Sequence, residues 1–71
     1  MSKLRPYKDF GLSPTEEAVA TWLSAGLMNK QIAIQLQMKE DAVKSAVRRI
    51  KYKIGARTRS HAVAILYRGG R

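Results

Sequence analysis

Between Lys39 and Ile54, the residues Val43, Val47, Ile50 and Ile54 recur at helical spacing. At about 100° per residue they fall in one narrow apolar stripe, with Ala46 at its edge. Asp41, Lys44, Ser45, Arg48, Lys51 and Tyr52 collect on the opposite side. One face is therefore built for burial and the other carries cations and hydrogen-bond donors. A short basic helix with an apolar back can enter a DNA major groove while a small domain holds it from behind. Charge pattern alone fits an ordinary amphipathic helix with a solvated face equally well.

The flanking pattern predicts three more helices. Leu12-Ser13-Pro14-Thr15-Glu16 reads as a helix start. Ser13 caps, Pro14 takes the first helical position and Glu16 completes a capping box. Glu16 and Glu17 also suit the positive end of the helix dipole. This first helix is expected from Pro14 to Ala25. Its inward stripe is Val19, Trp22 and Leu23, with Ala18 and Ala20 beside it, and Gly26 ends it in the left-handed region. Asn29 is read as the cap of a second helix, Lys30–Gln37, burying Ile32, Ala33 and Leu36 and leaving Ile34 outward. Met38 plugs the turn into the third helix. Glu40 and Asp41 occupy that helix's first turn, and Gly55 caps its end. After the basic loop Ala56-Arg57-Thr58-Arg59, Ser60 is read as the cap of a fourth helix, Ser60–Arg68, with Ala62, Val63 and Leu66 inward. The expected organisation is a flexible basic arm over residues 1–11, an all-α domain over 12–68, and a frayed tail over 69–71.

Composition narrows the function. The chain has 71 residues, no cysteine and one histidine, His61. So small a core cannot be stapled by disulfides or by a thiolate metal site, and helix packing must carry it. A formal net charge of +9 makes nucleic acid the first partner to consider and an anionic membrane surface the second. No apolar run approaches a membrane span, and no signal segment follows Lys3 and Arg5. The expectation is a cytoplasmic, nucleoid-associated protein without a cofactor. An enzyme is the poorest reading. The residues offer no nucleophile–base pair, no phosphate-binding glycine loop and no set of metal ligands. Asn29 and Lys30, at the start of the second helix, are placed to meet a phosphate, because a helix N-terminus offers free N–H groups to an anion.

One set of spacings runs through all four elements. Leu12-Ser13-Pro14-x-Glu16, Gly26-Leu27-x-Asn29-Lys30-x-Ile32-Ala33-x-x-Leu36, Val43-Lys44 and Ile50-x-x-x-Ile54-Gly55-Ala56-Arg57-x-Arg59 resemble the LuxR-type (GerE- and NarL-like) helix-turn-helix. The resemblance covers about Leu12 to Tyr67. It implies that the second and third helices form the helix-turn-helix, that the third enters the major groove, and that the fourth forms a homodimer contact. Carried over by position, Lys44, Ser45 and Arg48 would face base edges. Asn29, Lys30, Arg57, Thr58 and Arg59 would lie against the DNA backbone, and Arg49, Lys51 and Tyr52 of the third helix are expected there beside them. Ala64, Ile65 and Tyr67 lie on or near the outward side of the fourth helix and are the expected dimer surface, although Ile65 and Tyr67 equally suit the monomer core. The family commonly has glycine at Gln37, serine or threonine at Lys39, threonine at Ala42 and a glutamate at Ala18. With no sensor or receiver domain alongside, the expectation is a stand-alone bacterial or phage transcription regulator. A rival expectation is an interaction module that pairs with a larger LuxR-type regulator or docks on RNA polymerase.

Overall fold

Ser13 sets where the first helix begins. Its hydroxyl accepts the Glu16 amide at 3.2 Å, and Glu16 Oε1 accepts the Ser13 amide at 3.0 Å, the reciprocal capping box. In the computed structural model, which describes residues 10–69, four helices follow: α1 (Pro14–Ser24), α2 (Asn29–Leu36), α3 (Glu40–Ile54) and α4 (Arg59–Gly69). Among the described residues there is no strand. The expected basic arm lies outside the described residues except for Phe10, which packs on the core, and exposed Gly11. α4 runs on through Gly69, the first residue of the expected tail.

The first three helices end alike. At the end of α1 the Leu27 amide donates to the Trp22 carbonyl and the Gly26 amide to the Leu23 carbonyl. At the end of α2, Met38 donates to Ala33 and Gln37 to Ile34. At the end of α3, Ala56 donates to Lys51 and Gly55 to Tyr52. Each is a Schellman closure, which requires one left-handed residue. Gly26 (φ 96°) and Gly55 (φ 75°) supply it without a side-chain penalty, whereas at α2 it falls on Gln37 (φ 55°).

Several boundaries differ from the sequence reading, among them the end of α1, which falls at Ser24 with Ala25 as its cap. α2 begins at Asn29 rather than after it, with Met28 as the residue before the first turn. Asn29 does not cap, because its Oδ1 accepts from Arg59 Nη1 at 2.7 Å. Gln31 Oε1 instead reaches back to the Met28 amide at 2.8 Å. α2 also stops one residue early, at Leu36, because Gln37 turns left-handed. The cap of α4 is Thr58 rather than Ser60: its hydroxyl accepts the His61 amide at 3.0 Å, while His61 Nδ1 accepts the Arg57 amide at 3.2 Å. It resembles a capping box, except that the histidine reaches the amide of Arg57, one residue before the cap, rather than that of Thr58 itself.

α3 packs against α1, α2 and α4, and α1 packs against α2 and α4. Their shared core contains Val19, Ala20 and Leu23 from α1, Ile32 and Ala33 from α2, and Val43, Ala46, Val47 and Ile50 from α3, with Leu12 and Leu66. Trp22, Leu36, Met38, Ile54 and Val63 close its edges as partly buried residues. Ala46, placed at the rim of the apolar stripe by sequence, is fully buried.

The link from α2 to α3 carries two local weaknesses. Gln37 is left-handed, and Lys39, the cap position of α3, makes no side-chain cap hydrogen bond. Gln37→Gly relieves the first, and Lys39→Ser supplies an oxygen to the free amides of the first turn. Each is expected to raise stability by about 0.5–1 kcal/mol, read as a higher urea midpoint at unchanged slope.

Candidate nucleic-acid interface

The core fixes which way α3 faces. With Val43, Ala46, Val47 and Ile50 buried, Lys44, Ser45 and Arg48 stand exposed on the far side. Tyr52 continues that side toward the helix end and is 86% exposed, while Lys51 is half-buried at its flank. Neither Lys44 nor Arg48 makes an ion pair with a described residue. Two cations are therefore presented outward on a rigid, apolar-backed helix, where a polyanion can meet them without breaking an internal bond.

Arg49 and Lys53 behave differently. Arg49 Nε donates to Glu16 Oε2 at 2.8 Å, and Lys53 Nζ donates to Glu16 Oε1 at 2.7 Å. Lys53 also reaches the Gly11 carbonyl at 3.3 Å. The two cations sit one turn apart on the flank of α3 and grip the start of α1 through a single carboxylate. Glu16 is only 3% exposed. Burial alone raises a carboxyl pKa, but the hydrogen bonds from Lys53, the Ser13 amide and Arg49 outweigh it and lower Glu16 from 4.5 to about 2. The capping role of Glu16 is legible in the sequence, whereas its grip on Arg49 and Lys53 appears only in the fold. For Lys53 a partial signal was present, since it falls about 20° from buried Ala46 around the helix axis.

A second clamp joins the start of α2 to the start of α4. Arg59 Nη1 donates to Asn29 Oδ1 at 2.7 Å and Nη2 donates to the Leu27 carbonyl at 2.8 Å, both partly buried. Asn29 and Arg59, both expected against the DNA backbone, thus hold each other. Lys30 and Arg57 are exposed nearby in sequence, on α2 and in the loop before α4. Thr58 has its hydroxyl oxygen engaged as a cap and its O–H still available to donate.

On α4, Ala62 and Leu66 are fully buried. Ala64 is exposed, Ile65 is half-buried and Tyr67 is 58% exposed. His61, Ala64, Ile65 and Arg68 line a shallow open depression along this outward side. Ile34 on α2 is 68% exposed, as its helical phase predicts. No group of three or more His, Cys, Asp or Glu side chains among the described residues can hold a metal ion. No helix among them is long and apolar enough to cross a membrane.

Residues 11–66 match the family described as GerE, bacterial regulatory proteins of the luxR family. The chain is also 36% identical over 52 residues to a protein of Streptomyces halstedii named "Probable HTH-type transcriptional regulator GfsR". That alignment covers 73% of this chain and 21% of the Streptomyces protein, so the chain spans about a fifth of that relative's length. No solved structure matches the chain at a significant level.

Proposed function

Because the chain belongs to the luxR family of bacterial regulatory proteins, a family of DNA-binding transcription regulators, we propose that it is a sequence-specific, double-stranded DNA-binding transcription regulator acting at the nucleoid in the cytoplasm. α3 lies in the major groove. The observation that carries this reading is the division of cations on α3: Arg49 and Lys53 are held by Glu16, while Lys44 and Arg48 point outward without an ion pair to any described residue. Lys44, Ser45 and Arg48 meet base edges, with the two cations favouring guanine O6 and N7. Lys30, Lys51, Tyr52, Arg57 and Thr58 lie along the phosphates, and Asn29, Arg49 and Arg59 serve the same backbone from positions fixed by their internal bonds. The chain acts as a homodimer through Ala64, Ile65 and Tyr67 of α4, a reading supported by the exposed apolar surface there. A two-fold dimer reads an inverted repeat, its half-sites one helical turn or a multiple apart.

Exposed Ile34 favours one other reading, in which the domain pairs with a larger regulator or with RNA polymerase. Selection of the purified protein on random-sequence duplex pools at near-physiological salt separates the two. Enrichment of an inverted repeat is the expected outcome. Weak binding that is uniform across sequences and disappears with salt would sink the specific-regulator reading and move attention to Ile34.

A further inference from the structure

Asp41 has no evident reason to stand where it does. It lies in the first turn of α3, is exposed, and makes no hydrogen bond or ion pair through its side chain with a described residue. At about 100° per residue, Asp41, Arg48 and Tyr52 fall within about 20° of one line along the helix, with Lys44 and Ser45 on either side of it. The carboxylate therefore occupies the middle of the outward face rather than its rim. A helix dipole explains acid somewhere in a first turn, and Glu40 already supplies that, off this line. It does not explain a carboxylate on the face of a +9 chain that would meet phosphates. A negative charge there disfavours every nucleic acid unless one partner compensates it.

Base edges offer such a partner. The N-terminal residues of a recognition helix are the ones that reach into the groove. A carboxylate only accepts hydrogen bonds, so it needs an amine on the major-groove edge. Cytosine presents its N4 amine there; guanine presents two acceptors, and adenine sets an acceptor beside its amine. We infer that Asp41 is a specificity-determining residue, accepting a hydrogen bond from a cytosine N4 amine in each half-site and rejecting guanine at that position. The inference rests on the reading of α3 as the groove helix. Asp41 then does for the operator what Lys44 and Arg48 do not: it excludes sequences as well as favouring one.

The test is the same random-duplex selection run on the full chain with wild type, Asp41→Asn and Asp41→Ala. It is followed by titration of the wild-type site and its three single-base replacements at the selected cytosine. Wild type is expected to prefer cytosine over guanine by about 5- to 150-fold at one position per half-site. Both variants should lose that preference there, keep the preferences set by Arg48, and bind random duplex more tightly than wild type. Thermal melting of the three proteins separates a helix-dipole role, which shifts the melting temperature and leaves base preference alone. A wild-type site without a preferred cytosine, or variants that keep the preference, overturns the inference while the regulator reading stands. No enriched site for wild type overturns both.

Discussion

Glu16→Gln is expected to lower stability at pH 7 by about 2–3 kcal/mol, with the difference closing as the pH falls toward 2. The folded-state pKa of Glu16 lies below its ordinary value, 4.5 against about 2. A group of that kind adds stability that is fully present above pH 4.5 and is lost as protons bind between pH 4.5 and 2. At about 1.4 kcal/mol per pKa unit the shift corresponds to about 3 kcal/mol. The half-exposed Arg49 end of the network trims that figure, since water screens its share. Gln keeps the oxygen that accepts the Ser13 amide, so the substitution removes the charge and spares the cap. In a domain this small, such a loss is a large part of the total stability. Urea unfolding of both proteins at pH 7, 4.5, 3 and 2 checks it. Equal stability at pH 7 would mean that the Arg49–Glu16–Lys53 network contributes nothing.

Arg48→Ala is expected to weaken binding to the selected site by about 5- to 150-fold per half-site and binding to random duplex by much less, only through the lost charge. The expectation follows from placement. Arg48 is exposed on the outward face, directly along the helix from Asp41 and Tyr52, and makes no hydrogen bond or ion pair with a described residue. Its natural comparison is Arg57→Ala, in the loop before α4. Loss of a phosphate contact there should weaken all sequences alike and reduce the salt dependence of binding by about one charge per subunit. If Arg48→Ala instead weakens specific and random DNA equally, Arg48 is a backbone contact and base readout rests on Lys44 and Ser45.

The four helices and their order were legible because their signals are local. Ser13 and Glu16 sit three apart, Gly26 and Gly55 stand where chains must turn left-handed, and the stripe of α3 repeats at one period. Reading the outward residues of α3 needed nothing beyond that period. The misread positions share a different origin. Asn29 looked like a cap because asparagine usually is one, but Arg59, thirty residues away, takes its oxygen. Ser60 looked like the start of α4, while the loop geometry set by Thr58 and His61 moved that start forward. Gln37 is an ordinary helix residue by propensity and becomes left-handed only because α2 must close before α3 can pack.

Periodicity and capping residues along the chain decided that there are four helices, that α1 and α3 close at Gly26 and Gly55, and which face of α3 is apolar. Tertiary packing decided which cations remain free to act. Docking of α1 on α3 buries Glu16 and draws in Arg49 and Lys53, residues 33 and 37 positions away. Helical periodicity is a property of neighbours. The partner of a buried charge depends on which helices meet, and a buried carboxylate must find its cations wherever the fold brings them.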